Sequence, residues 1–325
     1  MSLPLSILDL AVIGRNETVA ESLAGSVRLA QRAEELGYAR VWYAEHHNMK
    51  SIASSATSVL IAHIAAHTKA IRLGAGGVML PNHSPLVIAE HYGTLAELHP
   101  GRIDLGLGRA PGSDQATQRA LRRGPAAAEN FPQDVVELQG YLSDESRVPG
   151  ISAIPGQGTH VPLYILGSSL FGAQLAASLG LPYAFASHFA PAMLEEAAAA
   201  YRGNFRPSEQ LKEPYFIAAA NVIASDSRAD AQEQFRETLR ARVRLFATSS
   251  REITNDEADA FLQSPGGQRI ASMMQYSALG TGEDVRQYLE EFARETGADE
   301  LIVAHQGSSI EARLESVELT AHAWI

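Results

Sequence analysis

Two rhythms of apolar residues alternate along this chain. Short continuous apolar runs read as buried strands, and each is followed by a stretch whose apolar positions return every three or four residues, as on one face of a helix. Residues 5–13 (LSILDLAVI) make the first run. Behind it, Thr18 and Glu21 have the spacing of a capping box, Val19, Leu23, Val27 and Ala30 share one face, and Gly37 stops the helix. The alternation continues through strands at 39–44 (ARVWYA), 71–80 (IRLGAGGVML), 102–108 (RIDLGLG), 162–168 (PLYILGS), 182–188 (PYAFASH), 215–225 (YFIAAANVIAS) and 299–306 (DELIVAHQ). Helices are expected over 56–67, from Pro85 to about Leu98, and over 132–143, 170–180, 192–202, 228–247 and 283–296, with a last one from about 310. Two stretches, 110–131 and 248–280, show no sustained period and read as surface excursions after the fourth strand and near the seventh.

Eight apolar strands alternating with helices predict an α/β fold with a parallel sheet, closed as a single (β/α)8 TIM barrel. No linker-like composition divides the chain, so one domain is expected over 1–325. In such a barrel, functional side chains sit at the C-terminal ends of the strands.

Composition narrows the partners. A net charge of −11 disfavours nucleic acid and anionic membrane surfaces, which call for basic patches. No run approaches the roughly 20 apolar residues of a membrane span, and the start of the chain lacks the marks of a signal peptide, so a cytoplasmic protein is expected. Without cysteine there is no disulfide, thiol nucleophile or thiolate-bound metal.

The strand ends carry the chemistry. The second strand ends in Glu45, His46 and His47, where side-chain alternation lets only one of the two imidazoles face the mouth. His46 is the better candidate for proton transfer and His47 for a packed or solvated residue. The third strand ends in GAGG (74–77), and glycines there let a flat ligand approach the backbone. Gly167, Ser168 and Ser169 open a helix whose free amides and hydroxyls suit a phosphate, and Arg109 adds a guanidinium, unless it pairs with Asp104 or Asp114. His188 ends the sixth strand, lining the pocket or capping the next helix. A planar phosphorylated cofactor beside a reactive histidine is the combined reading.

These same residues carry a family resemblance. ARVWYAEHH, IRLGAGGVMLPNHSPLVIAEHYGTLAELHPGRIDLGLGRAPGSD and PLYILGSSLFGAQLAASLGLPYAFASHF resemble the bacterial-luciferase-like flavin-dependent monooxygenases, in order through essentially the whole chain. The resemblance implies that His46 acts in proton transfer near the flavin and that Glu45 shapes the pocket. It implies a cis peptide between Gly76 and Gly77 under the flavin ring, and phosphate contacts from Arg109, Ser168, Ser169 and Gly172. The luciferases have a glutamate in place of Ser168 and a reactive cysteine in place of Gly108, so light emission does not follow.

The function implied is oxidation of a small organic substrate by O2 and reduced FMN, the latter supplied by a separate flavin reductase, since no nicotinamide-binding Gly-rich motif is evident. Relatives of this barrel bind F420, which makes an F420-dependent reductase the alternative; a non-catalytic flavin-binding protein is a third reading. A metal hydrolase is disfavoured because the first strand carries no His-x-His, and no metal is expected. Apolar segments at 60–67 and 88–98 suggest a homodimer paired through two helices. The 248–280 excursion is expected to be a mobile lid.

Overall fold

The computed structural model describes residues 3–14, 16–110, 114–246 and 253–325. In chain order the first half runs β1 (Leu5–Asp9), α1 (Val19–Leu36), β2 (Arg40–Tyr43), α2 (Thr57–Ala65), β3 (Arg72–Met79), α3 (Pro85–Leu98) and β4 (Ile103–Gly108). Then come α4 (Gln115–Ala120), α5 (Phe131–Leu142), β5 (Leu163–Gly167), α6 (Leu170–Leu179), β6 (Tyr183–Phe185) and α7 (Leu194–Asn204). The last part holds β7 (Phe216–Ala224), α8 (Arg228–Phe246), α9 (Asn255–Leu262), α10 (Pro265–Ser272), β8 (Ser277–Gly280), α11 (Gly282–Thr296), β9 (Glu300–His305) and α12 (Ile310–Trp324).

Strands β1 to β7 pair in sequence, β7 pairs with β9, and β9 returns to β1, so eight parallel strands close a barrel. The expected TIM barrel is therefore present. Its register sorts side chains by parity. Ile7 sits beside Val41 and both point to the helical layer, while Leu8 beside Trp42 points to the barrel axis.

The axis is closed at its N-terminal end by charge. Arg40 lies between Asp104 (2.8 Å) and Glu300 (2.9 Å), whose side chains are fully buried. The guanidinium also lies over the rings of Trp42 and Tyr164, at 5.6 and 5.3 Å from their centroids. Arg72 adds a second cation to Asp104, and Ser6 and Tyr215 donate hydroxyls to Glu300. Above this layer come Leu8, Trp42, Ile217 and Ile302, and then small residues such as Ala44, Ala184 and Ala219. The interior is packed below and tapers to small side chains near the mouth.

Three differences from the sequence reading have physical causes. The first strand stops at Asp9 rather than residue 13, because its carboxylate accepts Ala11 N–H (2.9 Å) and Ser26 Oγ–H (2.6 Å) while Ala11 takes a positive φ of 46°. The described part of the 248–280 excursion is regular. Thr254 and Glu257 form a capping box for α9, Ser264 caps α10 with Pro265 in its first turn, and β8 pairs with Asn221–Ala224 of β7. Ile270 and Ala258 are buried against Val243 of α8, which gives these helices a core of their own. The irregularity expected of the lid over this stretch is thus replaced, from 253 on, by packed helices and a strand; 248–252 lie outside the described residues. Between them, α4 lies within the other excursion, where Asp114 accepts Thr117 N–H as its cap.

The apolar surplus that suggested pairing is mostly used internally. Leu60, Ile61, Ile64, Ile88, Tyr92 and Leu95 are buried in the helix–barrel layer, leaving Val59, Val87 and Leu98 exposed on α2 and α3.

One buried histidine outside the mouth makes stability depend on pH. His305 packs edge-on to Tyr38, shares a hydrogen bond between its Nδ1 and Ser316 Oγ (2.8 Å), and leaves Nε2 buried without a partner. Burial pushes its pKa down to about 3. The unfolded chain takes up this proton near pH 6.5 and the folded chain does not. Its contribution is therefore complete above about pH 6.5 and is lost as pH falls from there toward 3. Stability should fall by about 2 kcal/mol between pH 7 and 5 through this group alone. Urea midpoints of His305→Gln should show a correspondingly shallower acid slope; an unchanged slope would refute the assignment.

Candidate functional site

The ladder of β2 ends at Tyr43, and the chain then crosses the mouth beside β3. There the peptide joining Gly76 to Gly77 is cis, as the resemblance implies. A Cβ on Gly76 would lie 2.8 Å from Leu8 and 2.9 Å from Trp42, and one on Gly77 would lie 2.8 Å from the Gly106 carbonyl. Only glycine lets the strand lie this close to its neighbours, and the result is a flat floor at the mouth.

Glu45 is bolted to that floor. Its N–H donates to Gly77 O (3.2 Å), and its carboxylate accepts Met79 N–H at 3.0 Å. His47 Nε2 (2.7 Å) and His83 Nε2 (2.9 Å) lie on the same carboxylate, which is 2 % exposed. Burial alone would raise the Glu45 carboxyl, but hydrogen bonds from His83, His47 and Met79 N–H outweigh it and hold it below the ordinary carboxylate range. It is an anion at neutral pH. Glu45, His47 and His83 are also spaced so that their ligand atoms could hold a metal ion, and both imidazoles hydrogen-bond the Glu45 carboxylate.

His46 faces differently. Its Nδ1 is buried with no hydrogen-bond partner. Burial lowers the imidazole's pKa against the opposing pull of the Ala44 backbone and Glu45, so the ring is neutral at pH 7. A neutral imidazole with an unused nitrogen can accept a proton or hold a hydrogen bond.

Arg109, Gly167, Ser168, Ser169 and Gly172 come together on the other side, at the tops of β4 and β5. The Arg109 guanidinium lies 4.0 Å over the Phe171 ring in the first turn of α6. It makes no ion pair with Asp104 or Asp114: Asp104 is held by Arg40 and Arg72, and Asp114 accepts from Asn48 and Thr117. Ser169 occupies the N-cap of α6, yet makes no capping hydrogen bond. Among the described residues the Ser168 and Ser169 hydroxyls are unpartnered. Gly167 and Gly172 lie against each other and Tyr183, leaving the helix entrance narrow in side chains. Uncapped amides, two hydroxyls and a guanidinium form a cradle for an oxyanion.

His188 does not cap the next helix, whose start lies at Leu194 with Met193 as N-cap. Its carbonyl accepts Asn221 Nδ2–H (2.8 Å), and its ring Nδ1 is buried without a partner. Burial first, then the positive charge of Arg242 and the nearby His46, push its pKa down to about 3.

Two residues of the site escaped the sequence reading: Asn82 and His83. Both stand in the quoted motif (LPNHSP), where their distance from Glu45 in sequence hid the contact.

Comparison with known proteins agrees with this fold. The family model described as "Luciferase-like monooxygenase" matches residues 3–300. The chain belongs to that family. It is 48% identical over 321 residues to a protein of Escherichia coli (strain K12) named luciferase-like monooxygenase, covering 98% of this chain and 96% of the relative. The N-acetyl-S-alkylcysteine monooxygenase of Bacillus subtilis (strain 168) is 35% identical over 269 residues, covering 80% of this chain and 79% of the other. Among solved structures, apo-MsnO8 superposes with a TM-score of 0.89 at 35% identity, covering 99% and 98% of the two chains. Membership makes this luciferase-like chain a monooxygenase-type oxidoreductase acting on a small molecule with O2. No helix among the described residues is long and apolar enough to cross a membrane.

Proposed function

We propose that this chain is a reduced-FMN monooxygenase that oxidises a small organic substrate, receiving its reduced flavin from a separate reductase. The observation that carries the reading is the division of the mouth into two halves. An uncapped helix start with Arg109 on one side suits the phosphate of FMN, and a flat glycine floor with His46 on the other suits its ring. The orphaned Nδ1 atoms of His46 and His188 fit this use, since a bound ligand gives a buried polar atom the partner it lacks.

Reduced FMN would supply the electrons that activate O2. The chain's own part is to bind, orient and protect. Arg109, Ser168, Ser169 and the amides at the start of α6 hold the phosphate. Gly76 and Gly77 admit the ring. His46, neutral and free at Nδ1, takes or holds a proton at the ring's edge. Glu45 is a positioning residue: it fixes the ends of β2 and β3 through Met79 N–H and Gly77 O. The first excursion reaches over the mouth, where Arg123 donates to Asn82 O (3.1 Å) and Asp114 accepts Asn48 Nδ2–H (3.1 Å), and limits access of water. The thioether substrate in the Bacillus subtilis relative's name supports a small organic substrate here. A two-fold homodimer through α2 and α3 is part of the same proposal, with Val59, Val87 and Leu98 as its exposed apolar contacts.

Arg109→Ala tests the phosphate half. It should weaken FMN binding by about tenfold while leaving riboflavin, which lacks the phosphate, nearly unaffected. Equal losses for both flavins would place the phosphate elsewhere.

A further inference from the structure

The Glu45 carboxylate lacks what Asp104 and Glu300 have. Those two buried anions face the Arg40 guanidinium at the far end of the barrel. Among the described residues the Glu45 carboxylate meets no lysine or arginine, and its ionisable partners are the imidazoles of His47 and His83. Both rings approach with the same atom: His47 Nε2 lies 2.7 Å and His83 Nε2 2.9 Å from Glu45 Oε1. The three ligand atoms lie within 4.8 Å of one another. Neither Nδ1 makes a hydrogen bond to a described residue. The two histidine side chains are 19 % and 30 % exposed, so the cluster is open to solvent from the imidazole side.

We propose that Glu45, His47 and His83 form a binding site for a divalent transition-metal ion of the zinc type. Two imidazole nitrogens and one carboxylate oxygen make a ligand set that leaves a fourth position for water. Imidazole donors select such an ion over magnesium or calcium, which prefer oxygen. Charge argues the same way. A buried carboxylate without a permanent cation costs stability, neutral imidazoles offer it only dipoles, and a divalent ion supplies the charge. Each Nε2 holds the ring proton while it donates to the carboxylate. Ligation needs that proton on Nδ1, where no protein contact opposes it. The ion would tie the segment after β2 to the turn after β3, beside Gly77 and Met79, which Glu45 already contacts. The expectation of no metal rested on the missing His-x-His of the first strand. Here the donors are a Glu-x-His after β2 and a histidine after β3, a set that this rule does not cover. The site is independent of which cofactor the mouth holds.

The full-length protein, stripped with EDTA and desalted, should be titrated calorimetrically with ZnCl2 and, in parallel, with MgCl2. His47→Gln and His83→Gln keep a side chain that can donate to the carboxylate but remove the imidazole ligand. The exposed pair His63 and His67, whose rings lie 4.5 Å apart at the end of α2, is the competing zinc site, and His63→Gln/His67→Gln removes it. The wild type and this double variant should bind zinc at the mouth with a dissociation constant of about 10 μM or lower, and magnesium at least about a hundredfold more weakly. Each mouth variant should lose about tenfold or more in zinc affinity. Zinc should raise the urea midpoint of the wild type and leave those of the mouth variants unchanged. The proposal is overturned if the wild type binds no zinc in this range, if the mouth variants bind it as tightly, or if the α2 double variant abolishes binding. Should the mouth variants fail to fold, the cobalt complex of the α2 double variant decides. Proton NMR should then show hyperfine-shifted, exchangeable N–H signals from two imidazoles, and signals from fewer than two overturn the assignment.

Discussion

His46→Ala should lower turnover with reduced flavin by about two to four orders of magnitude, the range spanned by a single positioned general acid or base. Its melting temperature should stay close to that of the wild type. Both expectations follow from the same feature. His46 Nδ1 makes no hydrogen bond within the protein, so its removal leaves no buried partner unsatisfied. The pH profile provides a second readout. Burial holds the imidazole below its ordinary pKa of 6.5, so the neutral form prevails above that value. If His46 acts as a base, the acidic limb of the rate profile lies below pH 6.5, the rate is flat just above it, and the variant loses that limb. Wild-type rates in His46→Ala would remove the residue from the mechanism.

The largest effect on stability is expected at the opposite end of the barrel. Arg40→Met should cost about 3–5 kcal/mol, because it leaves the carboxylates of Asp104 and Glu300 buried with less opposing charge. Arg72 reaches only Asp104, so Glu300 would retain hydroxyl donors from Ser6 and Tyr215 but no cation. The methionine also loses the contacts over Trp42 and Tyr164. Urea unfolding measures this: a markedly lower midpoint is expected for Arg40→Met. The triple replacement Arg40→Met, Asp104→Asn, Glu300→Gln should recover part of the loss, since it removes the uncompensated charges. A midpoint within about 1 kcal/mol of wild type for Arg40→Met alone would show that the charged layer is dispensable.

The barrel was legible because its physics is local. Each of the eight barrel strands is buried on both faces and so appears as an apolar run, and each helix start at Thr18 and Pro85 carries its own signal. Strand β8 was not legible. SALG is short and small, and its place is decided by the upper half of β7, far away in sequence. The helices α9 and α10 had readable caps in TNDE and SPGG, but no apolar period long enough to be trusted over eight residues each. The site divides in the same way. His46, Arg109 and the α6 start stand at strand ends, where barrel topology gives position meaning, whereas Gly76 and Gly77, expected at the end of the third strand, lie inside β3, which runs on to Met79 across a register break between Ala75 and Val78. The partners of Glu45 could not be read, because His83 approaches from the turn after β3.

The most direct test of the account is an anaerobic titration of the purified protein with reduced FMN, oxidised FMN and F420, each followed by calorimetry in the same buffer. Reduced FMN should bind with a defined stoichiometry and more tightly than F420, and addition of O2 to that complex with an organic substrate should place one oxygen atom in the product. Tighter binding of F420, with no oxygen incorporated from the flavin complex, would contradict it.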